Sequence, residues 1–374
     1  MSTPLVGMVG GGQLARMTAQ AAIPLGLTLA VLTSGPQDAA ASTGAPMIGS
    51  HTSLEDLVAF AERCDVLTFD HEHVPPEHLA ALAEKGYRLH PGPDALHFAQ
   101  DKQAMRVRLG ELGVPVPAWQ PASGPADVAR FAERYGWPVV AKAVRGGYDG
   151  RGVWVLADAA TAAELLLATA AIDLLIEEYV PLRRELAVLV ARSPRGEVRT
   201  WPLIETVQRE GICVETLVPV ADPPPAAAAL GDRIATALGV TGVLAVELFE
   251  RPDGGVLVNE LAMRPHNSGH WSIEGSRTSQ FEQHLRAVLD WPLGETALAA
   301  PAVAMANVIG GVDPGVCARL PSVLGADPAL KVHLYGKEFR PGRKLGHVTA
   351  LGEDLAEVRR RATAGAAALA GDRP

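Results

Sequence analysis

The chain has 374 residues, of which 48% are apolar and 20% charged, with a formal net charge of −9. That length and apolar share predict two or three domains with sizeable cores and exclude wholesale disorder. The acidic excess argues against a general binder of nucleic acid or of anionic membranes, while leaving room for local basic pockets.

Residues 5–9 (LVGMV) read as a buried strand, 13–25 as a helix and 27–32 as a second strand. A helix near 53–63, a strand at 65–69, a helix near 76–85 and a short strand at 87–89 continue the alternation. This pattern predicts a parallel α/β sheet with helices on both faces. Two prolines and a glycine in "HPGPDAL" mark its end. Helices near 94–112 and 125–135 follow, then strands at 138–144, 152–156, 173–180, 185–193, 198–207 and 212–220. Short links at 194–196 and 209–211 read as hairpin turns, so this part is expected to be α+β with an antiparallel sheet. A helix near 226–238 precedes strands at 243–249 and 256–261, joined by the turn Pro252-Asp253-Gly254-Gly255. Residues 301–374 read as a small domain of short strands closed by a helix near 354–370.

Cys64, Cys213 and Cys317 are far apart and form no C-x-x-C, which fits a reduced, cytoplasmic protein without a disulfide frame or zinc knuckle. The first residues lack a basic segment and Gly10-Gly11-Gly12 interrupts the apolar run, so no signal peptide is expected. No apolar stretch of about 18 residues predicts a membrane span.

The first strand leads into Gly10-x-Gly12-x-x-Ala15, the dinucleotide-binding fingerprint in its G-x-G-x-x-A form. An NAD site wants an acidic residue at the end of the second strand to hold the ribose hydroxyls. That strand ends in Leu32-Thr33-Ser34-Gly35, and the first acid, Asp38, comes in the next loop. Thr33 and Ser34 suit a phosphorylated ribose, yet no arginine stands beside them. Three readings stay open: a tight packing turn, a phosphate site at the helix N-terminus, and an NAD(P) site.

The segment "PVVAKAVRGGYDGRGVWV" (138–155) is the most informative. A β-branched strand delivers Lys142 into an apolar run, which is costly unless an anion neutralises the ammonium. Gly146-Gly147-Tyr148-Asp149-Gly150-Arg151-Gly152 follows, a bare loop able to fold over phosphates and offer them N–H groups. It is not a Walker A loop, since no G-K-[ST] and no helix follow; a glycine-rich hairpin with a solvated lysine is the bland alternative. In "LLIEEYVPLRRE" (174–185) the backbone of Glu178 to Val180 can bond an adenine edge and Glu185 ribose hydroxyls, although an ordinary strand link reads the same way.

Glu247 interrupts one apolar strand, and Asn259 and Glu260 the next. Paired across a hairpin, the carboxylates can converge, and they then repel unless a cation or proton lies between them. Oxygen ligands beside phosphate select magnesium. "RPHNSGHW" (264–271) fits a hydrogen-bonding pocket for a polar substrate. His266 and His270, or His71 and His73, lack an obvious third and fourth partner for zinc. In "YGKEFRPGRKLGH" (335–347), Lys337, Arg340, Arg343 and Lys344 surround a Pro-Gly turn, which suits an anionic substrate such as a phosphate monoester or a solvated loop.

Taken in order, "GGGQLARM", "KAVRGGYDGRG", "EEYVPLRRE", "NELAMRPHNSGHW" and "GRKLGH" resemble the ATP-grasp ligases over nearly the whole chain. Within them they resemble the 5-(carboxyamino)imidazole ribonucleotide synthases of purine biosynthesis. The related formate-dependent glycinamide ribonucleotide transformylases share the grasp and the R-P-H step, but "NSGHW" and "GRKLGH" look like the synthases.

The resemblance implies a Rossmann-like pre-ATP-grasp domain (1–97), a two-lobed ATP-grasp domain (98–300) and a small C-terminal domain (301–374). It implies a cytoplasmic homodimer that uses ATP, Mg2+, bicarbonate and 5-aminoimidazole ribonucleotide, with no nucleic-acid or membrane partner. Lys102 and Lys142 should touch the nucleotide phosphates, under a lid made by Gly146, Gly147, Tyr148, Asp149, Gly150, Arg151 and Gly152. Glu177, Glu178, Tyr179 and Val180 should line the adenine, Glu185 the ribose, and Gln208 should fall on the nucleotide side. Glu247 and Glu260 should hold magnesium, with Asn259 beside them. Gln13, Leu14, Glu72, Arg264, His266, Asn267, Ser268, Lys337, Arg343 and Lys344 are implied for the ribonucleotide, its phosphate lying at the N-terminus of the first helix beside Gln13. Lys142, Tyr148, Asp149 and Arg264 are the implied catalytic residues. The chain departs from the family in carrying Lys102 where arginine is frequent, "FDHEHV" in place of a "FEFENV" type of sequence, and Gln208 where some members have histidine.

Overall fold

A computed structural model describes residues 3–43, 45–147 and 150–371. The first region is β1 (Leu5–Val9), α1 (Gln13–Ala22), β2 (Thr28–Thr33), β3 (Ala45–Ile48), α2 (Leu54–Ala61), β4 (Val66–Phe69) and α3 (Pro76–Glu84). The strands form a parallel sheet in the order β3-β2-β1-β4. β1 and β4 are almost wholly buried, as strands covered on both faces must be. Residues 87–89 make only a single parallel bridge, between Leu67 and Leu89.

Next come α4 (Pro93–Gln100), α5 (Lys102–Glu111), β5 (Trp119–Ala122), α6 (Pro125–Tyr135), β6 (Val139–Ala143), β7 (Val153–Leu156), α7 (Ala159–Ala168) and β8 (Leu174–Glu178). The expected single helix over 94–112 is two. Asp101 adopts extended backbone and caps α5, its side chain accepting from Ala104 N–H, which is the standard role of Asp at such a break. β5, β8, β6 and β7 form a small antiparallel sheet in that order. Pro121 sits in β5 at its edge, where a missing N–H is tolerated.

The rest is β9 (Arg184–Arg192), β10 (Val198–Thr200), β11 (Ile204–Arg209), β12 (Ile212–Val218), α8 (Ala227–Ala237), β13 (Gly242–Glu250), β14 (Val256–Ala262), α9 (Ser272–Gly275), α10 (Gln280–Val288), β15 (Ala302–Ile309), α11 (Val316–Ala326), β16 (Lys331–Leu334), β17 (Lys344–Gly352) and α12 (Leu355–Ala370). The strand expected at 198–207 is interrupted, leaving β10 and β11 as separate pieces that both pair with β9. A large sheet runs β14-β13-β9-β11-β12-β15-β17-β16. It crosses residue 300 without a break, because β12 pairs with β15 through Glu215–Ala306 to Val218–Val303.

His284 of α10 ties three elements together. Val243 N–H donates to its Nδ1 at 3.1 Å, which leaves the ring proton on Nε2, 2.7 Å from Thr68 Oγ1 of β4. Gly242, with φ +106°, makes room: a Cβ there would lie 2.8 Å from the ring. Burial pushes the His284 pKa down to about 3.

The unfolded chain, with ordinary histidines, therefore binds more protons than the folded one between about pH 6.5 and 3. Stability should be fully present above about pH 6.5 and decline as the pH falls through that window. His284→Asn should lower stability at pH 7.5 and flatten the decline, read as urea midpoints from pH 7.5 to 4.5. An unchanged slope would remove His284 from the account.

Candidate active site

The large sheet supplies an acidic floor. Glu247 of β13 lies directly across from Glu260 of β14, while Leu248 pairs with Val258. Asn259 is thus the extra residue of a β-bulge. A bulge re-aims side chains, and here Asn259 Nδ2 comes within 3.4 Å of Glu247 Oε2. On β9, Ala187 opposes Glu247 and Glu185 opposes Phe249. The strand period of two then puts Glu185 on the same face as Glu247. Thr206 opposes Glu185, so Gln208, two residues along β11, shares that face. Burial raises the Glu185 pKa to about 7. Glu247 is also pushed up to about 7, by burial first and then by Glu260 and Glu185. These carboxylates need a cation or a proton between them.

Facing this floor is a buried charge cluster. Lys142, delivered by β6, places Nζ 2.7 Å from Glu177 Oε2 of β8 and 2.9 Å from Asn259 Oδ1. Arg106 of α5 donates to Glu177 Oε1 at 2.7 Å and to the Asn259 carbonyl at 2.8 Å. Burial pushes the Lys142 ammonium below the usual lysine range despite Glu177 beside it. Burial alone would raise Glu177, but Lys142 and Arg106 outweigh it and hold its carboxyl below the ordinary value. Lys102, the first residue of α5, reaches Glu260 at 2.7 Å.

Arg106 is the functional residue that sequence reasoning missed. Its signal was its i, i+4 spacing from Lys102, which puts both cations on one helix face. Glu177 was expected at the adenine, yet its carboxylate belongs to the charge cluster. The Glu178 carboxylate is committed to Ala118 N–H at 2.9 Å and to Arg251 at 2.9 Å. Tyr179 and Val180 lie beyond the ladder of β8, Tyr179 exposed and Val180 buried.

A second polar cluster lies at the C-terminal ends of β1 and β4, the edge where open α/β sheets bind ligands. Asp70, just after β4, accepts from Gly12 N–H at the N-cap of α1. A Cβ at Gly12 would collide with that carboxylate. Gly12 is thus a close-approach residue. Its N–H is taken by a protein carboxylate, which leaves the N–H groups from Gln13 onward as those the first turn can offer a phosphate. Asp38 closes the loop after β2 itself, accepting from Ser34 N–H at 2.9 Å and from Thr33 Oγ1.

Arg264 pairs with Glu72 at 2.8 Å. Lys337 donates to Gln13 Oε1. Gln13 Nε2 also lies 3.5 Å from His270 Nε2. Leu14 is a packing residue, buried with Met17, Phe281 and Tyr335, and what it can offer a ligand is its backbone N–H. His266 Nε2 lies 3.4 Å from Glu247 Oε1, and Ser268 Oγ is 2.9 Å from His266 Nδ1. The Asn267 amide was expected at the substrate, but it is committed to a reciprocal pair with Asn307 of β15 at 3.1 and 2.8 Å.

From the C-terminal hairpin, Lys344 acts electrostatically on both Glu247 and His270. Arg343 donates to the Glu338 carbonyl at 3.1 Å. His71 stacks on His73 and meets His51 edge-on. Of the glycine loop, Gly146, Gly147, Gly150, Arg151 and Gly152 are described; the Tyr148 and Asp149 expectations lie outside the described residues. Gly150 packs on the β11–β12 turn, where a Cβ at Gly211 would come within 3.0 Å of Gly150 Cα. Gly150, on the approach to β7 of the small sheet, therefore meets a turn of the large one.

Among the described residues, no group of three or more His, Cys, Asp or Glu gathers that could hold a metal ion. Glu247, Glu260 and the Asn259 amide are a hard-oxygen set of two carboxylates, which fits magnesium completed by phosphate and water rather than an all-protein cage.

Residues 1–100 match the ribonucleotide synthetase preATP-grasp domain family, 107–281 the ATP-grasp domain family and 303–361 the phosphoribosylaminoimidazole carboxylase C-terminal domain family. The N5-carboxyaminoimidazole ribonucleotide synthase of Mycobacterium tuberculosis is 53% identical over 369 residues, covering 96% of this chain and 86% of the relative. The solved N5-carboxyaminoimidazole ribonucleotide synthetase of Thermus thermophilus superposes with a TM-score of 0.88 at 37% identity, covering 99% of each chain. The N5-carboxyaminoimidazole synthase of Aspergillus clavatus, solved with ADP and 5-aminoimidazole ribonucleotide, gives a TM-score of 0.88 at 29% identity over 98% of each chain.

Glu177 is the only anion in direct contact with both Lys142 and Arg106 among the described residues. Glu177→Gln leaves two buried cations on an amide and should cost roughly 3–5 kcal/mol of stability. Urea unfolding measures this, and a cost near zero would show that the cluster is open to water.

Proposed function

The chain belongs to the N5-carboxyaminoimidazole ribonucleotide synthase family of ATP-grasp ligases, and from that premise we propose which of its residues carry each part of the reaction. The reaction is the ATP-dependent carboxylation of 5-aminoimidazole ribonucleotide in purine biosynthesis. We propose bicarbonate as the carbon source, with ADP and phosphate released. The carrying observation is the buried chain from Arg106 through Glu177 and Lys142 to Asn259, which sets a cation against two paired carboxylates.

Bicarbonate is a poor electrophile. Transfer of the ATP γ-phosphoryl group to one of its oxygens gives carboxyphosphate and ADP. The ribonucleotide amine then attacks the carbon, phosphate leaves and the amine loses a proton. Catalysis of the first step is mainly positioning and neutralisation of developing charge. Lys142 and Lys102 bind the phosphates. Glu247 and Glu260 would hold magnesium with Asn259 beside them, and the bound ion would supply charge neutralisation on the transferring phosphoryl group. The backbone of Tyr179 and Val180 meets the adenine, Glu185 the ribose, and Gln208 the nucleotide side.

Gly146 to Gly152 form the lid that excludes water from a hydrolysable intermediate. Arg264, Lys337, Lys344 and Arg343 supply the positive charge for the ribonucleotide phosphate and the carboxylate being formed. Glu72, Gln13 and His266 orient the substrate, Tyr148 contacts the ribonucleotide, and Asp149 accepts or relays the amine proton or orients it. The domain limits 1–97, 98–300 and 301–374, the homodimer and the cytoplasmic location are part of the same proposal. No helix among the described residues is long and apolar enough to cross a membrane.

Phosphate release, with ATP, bicarbonate and 5-aminoimidazole ribonucleotide omitted in turn, tests the reaction. Full turnover should need all three, and formate should not replace bicarbonate; turnover with formate would redirect the chain to the formate-using ligases. Asp149→Asn should slow carbamate formation by about a hundred-fold or more while calorimetry shows ATP affinity retained. Equal loss of ATP affinity would remove Asp149 from the amine.

A further inference from the structure

Two cations share one buried anion at the heart of the cleft. The side chains of Arg106 and Glu177 are 0% and 2% exposed, and that of Lys142 is 9% exposed. Arg106, Lys142 and Glu177 therefore sum to one positive charge out of water, a state that calls for an anion. The same two residues, Glu177 and Asn259, are gripped from both sides. Arg106 takes Glu177 Oε1 and the Asn259 carbonyl; Lys142 takes Glu177 Oε2 and the Asn259 side-chain oxygen. Arg106 sits on α5, Glu177 on a strand of the small sheet and Asn259 on a strand of the large one. One guanidinium thus spans both walls of the cleft.

We propose that Arg106 is a positioning residue for ATP: by occupying one oxygen of Glu177, it stops that carboxylate from closing both oxygens on Lys142 and leaves the Lys142 ammonium available to the nucleotide phosphates. Without Arg106 the cluster is a neutral Lys142–Glu177 pair, and the lysine's charge is spent on its neighbour. An arginine suits the task because its planar fork reaches a carboxylate and a carbonyl at once, whereas a lysine is a point charge. The Nη1 of Arg106 is buried without a hydrogen-bond partner, so the side chain is held by its Nε and Nη2 edge alone. The proposal rests on the reading of Lys142 as a phosphate ligand.

The test is steady-state phosphate release by Arg106→Met, Arg106→Lys, Lys142→Met and the double variant, each checked for folding by circular dichroism and melting. Arg106→Met should raise KM for ATP roughly ten-fold or more, the scale of one charge-assisted contact, and leave KM for 5-aminoimidazole ribonucleotide unchanged. Arg106→Lys should fall between it and the parent. Should the methionine variant fail to fold, the lysine variant carries the test through the same rise in KM for ATP.

Because Arg106 acts through Lys142, the double variant should be no worse than Lys142→Met alone. A folded Arg106 variant with unchanged KM for ATP, or a fall in kcat and melting temperature alone, overturns the proposal. So do additive penalties in the double variant. A defect in Lys142→Met without one in Arg106→Met overturns the role of Arg106 and leaves that of Lys142 standing. A defect in Arg106→Met without one in Lys142→Met overturns the phosphate reading of Lys142 and this relay with it.

Discussion

A lysine placed in an apolar strand is the constraint from which the rest of the site follows. Lys142 cannot sit uncompensated on β6, so β8 must bring Glu177, and α5 must bring Arg106 to hold it. The three residues come from one helix and two neighbouring strands of the small sheet. What fixes them against the large sheet is Asn259, gripped through its carbonyl by one cation and through its amide oxygen by the other. The bulge at Asn259 is therefore more than a local irregularity. It lets two successive residues serve the cleft, Asn259 toward Lys142 and Glu260 toward Lys102 and Glu247.

The charge layout follows the same logic on both sides of the gap. The small-sheet wall is one positive charge in excess, and the large-sheet floor carries Glu185, Glu247 and Glu260 with raised or crowded carboxyls. Neither wall is electrostatically content alone. A polyphosphate with its divalent cation would satisfy both, Lys142 being suited to its oxygens and Glu247 and Glu260 to the metal. The acidic net charge of the chain is no obstacle, because binding depends on this local arrangement and not on the sum over the surface.

The fold was legible where periodicity was strong. The alternating run from Leu5 to Phe69 and the hairpins of the large sheet carry their pattern in consecutive residues. It was illegible where structure depends on contacts remote in sequence. β3 and β5 are four-residue edge strands, and the helix expected at 94–112 hid its break behind an aspartate that reads equally well as helix interior. In the site, Lys142, Glu247 and Glu260 stood out because a charge inside an apolar strand is conspicuous. Arg106 did not, because a cation on an amphipathic helix normally points to water, and Arg108 two residues on does so. Asn267 and Leu14 are the reverse case. They sit within informative motifs, yet the structure spends one amide on Asn307 and packs the other side chain in a core.

The C-terminal strands show why a site can need a segment that holds no part of the nucleotide wall. β15 and β17 continue the large sheet, so the loop between β16 and β17 is carried rigidly to α1, where Lys337 meets Gln13. Beneath it the imidazoles of His270 and His347 are held neutral by burial. Gln280 accepts from His266 N–H and donates to the His266 carbonyl, both at 2.8 Å, so its orientation is set. Its Nε2 then faces His270 Nδ1 at 3.0 Å, and that nitrogen must accept. Burial, with His347 next in effect, keeps His270 from gaining a second proton. Tyr335, kept protonated by burial, reaches His347 Nδ1 at 2.8 Å and closes the stack from the hairpin side. The neutral rings of His270 and His347 let polar groups of this junction pack without adding charge, and the positive charge of this end of the site stays on Lys337, Lys344 and Arg264.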